Sequence, residues 1–220
     1  MHWEVLTFDC YGTLIDWESG IVNAFGEAAA ADGVELDPRA IVDAYMEIEP
    51  EVEAGPFRPY RDVLAETARR VARRLDWEIP GDHADFLARS LPDWPLFDDT
   101  RPALQRLRSG FELAILSNVD DDLLRTTMGR IGVEFDWTVT AERTRSYKPA
   151  PGHFLAALDR LGGTERLLHV ASSFYHDVAP ALTLGISVVW VNRNAEPVSD
   201  EPIPDHVVAD LNELAAWLGV

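Results

Sequence analysis

Hydrophobic positions in this chain follow two rhythms. Five short runs are largely apolar on both faces: WEVLTFD (3–9), ELAILSN (112–118), WTVT (137–140), LLHVASS (167–173) and SVVWVN (187–192). Runs of this kind predict parallel strands covered by helices on both sides. Between and after them, residues 101–109, 120–131, 151–161, 177–184 and 210–218 repeat apolar residues at helical spacing. Strand and helix alternating from about residue 97 predict an α/β fold built on a doubly wound parallel sheet. Residues 15–95 differ. They hold no strand pattern, and GIVNAFGEAAAA, AIVDAYMEIEPEV, YRDVLAETARRVARRL and HADFLARSL read as helices. The proline-rich LPDWPLFDD (91–99) then returns the chain. The expected organisation is a core of residues 1–15 and 96–220, with a helical cap of residues 16–95 inserted after the first strand.

Doubly wound sheets bind ligands beyond the carboxyl ends of their strands. Asp9, Ser117-Asn118 and Ser172-Ser173 all fall at such ends. Charge narrows the partners. The chain has 220 residues and a formal net charge of −19, which repels nucleic acid and anionic membrane and excludes both as expected partners. An anionic ligand therefore needs local positive charge. Lys148 is the sole lysine among 19 basic residues. A compact ammonium so placed indicates a position where a guanidinium does not fit. Arg69, Arg70, Arg73 and Arg74 crowd one helical stretch and read as a solvated face. Cys10 is the single cysteine, so no internal disulfide forms. Strand alternation turns it away from Asp9, as a small buried residue. No apolar run of about 18 residues exists, and the first residues enter a strand without signal-peptide features, so a cytoplasmic location is expected. Monomer and homodimer both remain open.

Four stretches carry the chemistry: FDCYGT with Asp9 and Thr13, LSN with Ser117 and Asn118, YKP with Lys148, and SSFYHD with Ser172, Ser173 and Asp177. Their order and spacing resemble the haloacid dehalogenase superfamily over nearly the whole chain. The closest resemblance is to its L-2-haloacid dehalogenase branch, whose first motif reads D-x-Y-G-T. The resemblance implies a Rossmann-like core with an inserted cap, and covalent catalysis in two steps. Asp9 attacks the α-carbon of an (S)-2-haloacid and expels halide. Water, activated by Asp177 with Lys148, then hydrolyses the Asp9 ester to a 2-hydroxy acid. Thr13 holds the nucleophile or the lysine. Ser117 and Asn118 hold the carboxylate of a small-molecule substrate, and Ser172, Ser173 and Phe174 complete that shell. Tyr11, Leu14, Phe57 and Tyr60 keep the site dry.

Phosphatases of the superfamily carry a second aspartate where this chain has Tyr11, and a magnesium-binding acid where it has Ser172. A halide leaves without a proton and a carboxylate substrate needs no metal, so no cofactor is implied. Magnesium enters only under the alternative reading, a phosphatase acting on a small phosphate ester. A non-catalytic small-molecule-binding protein is the second alternative. The shell departs from the branch at several points. The cap stretch AIVDAYMEIE lacks the arginine that cradles halide, and Arg39, Arg58 and Arg61 flank it. Phe174 stands where the branch has asparagine, and Phe154 where it has tyrosine.

Overall fold

The computed structural model describes residues 3–81, 83–197 and 202–220. Six parallel strands form one sheet: β1 (Val5–Phe8), β2 (Glu112–Ser117), β3 (Trp137–Thr140), β4 (Leu167–Ala171), β5 (Ser187–Val191) and β6 (His206–Val208). Their spatial order is β3-β2-β1-β4-β5-β6. The chain runs outward from β1 on one side and then crosses to start again at β4 on the other. The crevice between the ends of β1 and β4 is thus the switch point where such sheets bind ligands. Strands β1 and β4 are buried along their whole length. Each buried Val, Leu or Phe there contributes about 1.5–3 kcal/mol. The sixth strand did not register in the apolar pattern. It has three residues, and His206 and Val207 are only half buried, too short and too polar for a periodicity signal.

Helices α1 (Trp17–Ala31), α2 (Pro38–Glu53), α3 (Tyr60–Arg74) and α4 (Phe86–Ser90) lie between β1 and β2 in the chain. The side chain of Asp16 accepts from Ser19 N and opens α1, while Asp37 followed by Pro38 opens α2. Such caps contribute about 1 kcal/mol each. Ile41, Ala44, Tyr45 and Val52 of α2 are buried, as are Val63, Leu64, Ala68 and Val71 among others on α3, so each helix turns one face inward. The segment leaves and rejoins the sheet at one place. Ile15 bridges Leu96, and Asp16 N donates to Pro95 O at 2.9 Å. Trp94 lies so close to α1 that a Cβ on Gly20 would meet its Cγ at 2.3 Å. Only glycine permits that approach.

Helices α5 (Thr100–Leu107), α6 (Asp121–Ile131), α7 (Ala141–Thr144), α8 (Gly152–Leu161), α9 (Ala179–Thr183) and α10 (Leu211–Leu218) belong to the strand–helix alternation. The helix expected from residue 177 starts earlier and differently. Phe174–Val178 forms a wide turn in which Val178 N donates to Ser173 O, five residues back, at 3.2 Å. Turns of this width recur at functional sites. Cys10 is fully buried. Among the described residues no helix is long and apolar enough to cross a membrane.

Candidate active site

A cavity of about 450 Å³ lies over the ends of β1, β2 and β4, with α1, α2 and the start of α3 forming its far wall. Its floor is an ionic chain. Lys148 Nζ donates to Asp9 Oδ1 at 2.8 Å, to Asp177 Oδ1 at 2.7 Å and to Leu116 O at 2.9 Å. All of the ammonium's hydrogens are therefore used. Lys148 is 1% exposed, Asp9 7% and Asp177 1%, so the chain stands in a low dielectric. Buried charges of this kind persist only when paired and hydrogen-bonded.

The loop after β1 fixes the other face of Asp9. Gly12, at φ +101°, turns the backbone back, and Thr13 Oγ1 donates to Asp9 Oδ2 at 3.0 Å. Ser172 N donates in turn to Thr13 Oγ1 at 2.9 Å. Asp177 has a second donor as well. His169 Nε2 lies 2.9 Å from Asp177 Oδ1, and its Nδ1 lies 2.9 Å from Thr7 Oγ1. The carboxylate accepts from Nε2–H, which leaves Nδ1 to accept from the threonine. Asp177 Oδ2 and Ser117 Oγ are buried at the cavity and have no hydrogen-bond partner among the described residues.

These environments separate the two aspartates. Burial pushes the Asp9 carboxyl up, Lys148 offsets this in part, and the charge on Asp177 adds to the rise. Burial also acts upward on Asp177, but Lys148 and His169 outweigh it and hold the group at about 2. Burial acts against the Lys148 ammonium, yet Asp177 and Asp9 together raise its pKa. Asp177 is thus the firmly ionised member, and Asp9 is the carboxylate whose charge is least compensated.

The structure gathers Asp9, Tyr11, Tyr60, Ser117, Asn118, Lys148, Ser172, Ser173, Phe174 and Asp177 around this cavity, with Thr13 directly behind Asp9. Several expectations change in detail. Asn118 faces the cavity, but Nδ2 donates to Lys148 O and Oδ1 accepts from Lys148 N. Its oxygen and one Nδ2 hydrogen hold the lysine loop, which leaves the second Nδ2 hydrogen uncommitted at the cavity. Tyr11 OH pairs with Thr127 Oγ1 at 2.9 Å, so the phenol turns away from Asp9. Leu14 is fully buried and lies outside the cavity lining. Phe57 packs on Tyr147 and Phe154 on His169, both away from the lining.

None of the flanking arginines reaches the cavity. Arg39 pairs with Asp43, and Arg58 donates to Val52 O. Arg61 is drawn to Asp120 and Asp122 at the start of α6. Asp120 also accepts from Tyr60 N at 2.7 Å and Arg61 N at 3.0 Å. Its carboxylate thereby satisfies two open amides at the start of α3. Tyr147 OH donates to Arg58 O at 2.8 Å and adds a second tie.

Glu49, Glu53, Tyr45 and His169 went unnoticed in the sequence. His169 left a usable signal: a histidine inside an apolar strand run must find buried partners. Replacing it by phenylalanine takes one donor from Asp177 and leaves Thr7 unpaired. Urea unfolding is expected to show a loss of about 1–3 kcal/mol. Unchanged stability would mean the chain does not depend on this residue.

A magnesium ion would find fewer carboxylates here than at a site with an acid in place of Ser172. Such an ion takes one or two carboxylates in near-octahedral geometry. Here Asp9 and Asp177 each give one oxygen to Lys148, Thr13 binds the other Asp9 oxygen, Asp177 Oδ2 is unpartnered among the described residues, and Ser172 adds no third carboxylate. Among the described residues no group of three or more potential metal ligands occurs.

A carboxylate–ammonium–carboxylate chain thus lies at the switch point of this doubly wound sheet, just beyond the end of the first strand. The chain belongs to the haloacid dehalogenase-like hydrolases, whose family model matches residues 3–213. It is 28% identical over 214 residues to (S)-2-haloacid dehalogenase 4A of Burkholderia cepacia, covering 94% of this chain and 91% of that protein. It is 31% identical over 169 residues to phosphoserine phosphatase of Thermus thermophilus, covering 73% and 65%. The crystal structure of a defluorinating L-2-haloacid dehalogenase superposes with a TM-score of 0.85, covering 99% and 96% of the two chains. At 23% identity that likeness speaks for the fold alone.

Proposed function

We propose that this protein hydrolyses a carbon–leaving-group bond through an ester on Asp9, with 2-haloacids of S configuration as the reference substrates. The observation that carries this reading is the floor of the site: Asp9 bound to Lys148 and Thr13, with Tyr11 where a phosphatase carries its second acid. In the first step an Asp9 oxygen attacks the substrate carbon, and the leaving group departs with the bonding electrons. In the second, water attacks the Asp9 carbonyl carbon. One proton of that water passes to Asp177 Oδ2, the oxygen with no protein partner among the described residues. The tetrahedral adduct then collapses with cleavage of the acyl C–O bond, the proton on Asp177 passes to the departing alkoxide oxygen, and the second water proton leaves Asp9 for solvent, which restores the carboxylate and frees the hydroxylated product. Ser117 Oγ and backbone amides beyond β4 are the groups proposed to hold the substrate carboxylate. The same reading divides the chain into a core of residues 1–15 and 96–220 and a cap of residues 16–95, joined at the Ile15–Leu96 bridge.

The relative that is a phosphatase motivates a direct comparison. Halide release from L-2-chloropropionate, measured with and without added magnesium, is expected to proceed equally in both. Phosphate release from p-nitrophenyl phosphate that depends on magnesium, with no halide release, would refute the proposal.

The pH dependence follows from the charge arrangement. Attack needs Asp9 ionised, and its pKa is raised above the ordinary 3.8. The protonated, inactive form therefore persists to higher pH than in a free aspartate. Accordingly, kcat/KM is expected to fall with decreasing pH through a midpoint above 3.8. A midpoint at or below that value would contradict the assigned roles of the two aspartates.

A further inference from the structure

The cap wall opposite Asp9 has an unusual charge for a site expected to receive anions. Glu18, Glu49, Glu53 and Glu196 all line the cavity, and among the described residues no arginine does. Lys148 is the cation there, and its hydrogens are all committed to the floor. On α2, Glu49 and Glu53 stand one helical turn apart, close enough for the charge of Glu49 to act on Glu53. Tyr60 OH donates to Glu49 Oε1 at 3.2 Å, and Tyr45 OH lies 3.4 Å from Tyr60 OH. Glu53 Oε1 is buried and has no hydrogen-bond partner among the described residues. On the floor of the same cavity the fully buried Ser117 presents its unpartnered Oγ. Trp17 packs on Tyr45 with ring centres 5.8 Å apart, so aromatic surface flanks the two carboxyls.

We propose that Glu49, Glu53, Tyr45 and Tyr60 form a subsite for an ammonium group, so that the substrate carries an amine beyond the carbon that Asp9 attacks. The inference rests on the reading of Asp9 as nucleophile and specifies the substrate class of the same site. Carboxylate oxygens beside aromatic faces attract a desolvated ammonium by charge-assisted hydrogen bonds and by the ring quadrupole. A wall of this kind rejects a second anionic group, because two like charges would share a low dielectric. It also accounts for the absent halide-cradling arginine: the cap recognises a different part of the substrate.

Without a cation the pair must hold protons. Burial first, tempered by the Tyr60 bond, brings Glu49 up to about 7. Burial and then the charge of Glu49 push Glu53 up to about 10. The groups facing the pair are Tyr45 on the same helix, Tyr60 on α3, and Tyr147 and Lys148 before α8. Burial raises all three phenols above their ordinary range, so they are neutral at pH 8. Binding of an ammonium therefore displaces the proton that the pair shares.

Isothermal titration of the full chain with n-butylammonium and with n-butyrate tests this. At pH 8 n-butylammonium is expected to bind at least about tenfold tighter than n-butyrate. Its enthalpy should vary with buffer as for release of about one proton. The Glu49→Gln/Glu53→Gln variant is expected to lose about tenfold in butylammonium affinity and to abolish the proton release. Should that variant melt early, Glu53→Gln alone is read the same way. Butyrate binding as tightly as butylammonium, neither probe binding, or a variant that binds butylammonium undiminished would each overturn the proposal. Because binding is the readout, absent halide release would count against the nucleophile reading and leave the ammonium subsite standing.

Discussion

Replacing Asp9 by asparagine is expected to lower turnover by at least about 10⁴-fold, the scale on which removal of a covalent nucleophile acts. The same change should leave the melting temperature equal or higher. Asp9 is a carboxyl whose pKa rises on folding, so its ionised form opposes the folded state at neutral pH. An amide of the same shape keeps one acceptor for Lys148 and removes the poorly compensated charge. Lys148 then pairs with Asp177 alone, at 2.7 Å. Loss of activity with stability retained is the signature of a group kept for chemistry rather than for folding. Thermal melting beside a turnover assay decides it. A variant that loses activity because it has unfolded would assign Asp9 a structural role.

Lys148→Met gives the second large effect, and here activity and stability fall together. Two buried carboxylates lose their shared cation, and removing one partner from a buried ion pair costs about 3–5 kcal/mol. Both carboxyls then rise in pKa, Asp177 from its depressed position and Asp9 beyond its raised one, so Asp9 stays protonated to higher pH than in the unaltered protein. Turnover is expected to fall about 10³-fold or more. Lys148→Arg is not expected to rescue it. The acceptors Asp9 Oδ1, Asp177 Oδ1 and Leu116 O converge on one nitrogen at 2.7–2.9 Å. A planar fork of donors spreads where this site needs a point charge. Equilibrium unfolding in urea and initial rates on both variants test the claim. Full activity in the arginine variant would show that geometry at Nζ is immaterial.

That requirement explains why a chain so rich in arginine keeps one lysine, and why the position was legible before any coordinates. Asp177, six residues beyond the end of β4, was legible only through the resemblance of its motif, whereas Asp9 was legible as the tip of a strand. Short apolar strands end abruptly on polar residues, and the periodicity that marks the strand also marks its tip. The cap wall was not legible in this way. Glu49 and Glu53 look like solvated charges on an amphipathic helix, and only the docking of α2 over the strand ends turns them inward. Arg61 misled in the opposite direction. It flanks the cap stretch that lacks a halide-cradling arginine and so stands as a candidate substrate ligand, but its guanidinium goes to Asp120 and Asp122, about sixty positions away in sequence. Asn118 stands at the expected strand end, and its amide also ties down the lysine loop, a role the sequence did not reveal. Spacing locates a residue at a site, whereas the partner its polar atoms choose depends on contacts made at long range.

The covalent step can be followed atom by atom. One turnover of L-2-chloropropionate with excess enzyme in heavy-oxygen water, followed by mass analysis of the product and of the peptide bearing Asp9, reads where the water oxygen goes. Attack by Asp9 on carbon predicts an unlabelled hydroxy acid and one heavy oxygen in the Asp9 carboxylate. Label in the product, with none in the peptide, would mean that water displaces the leaving group directly and that no ester forms.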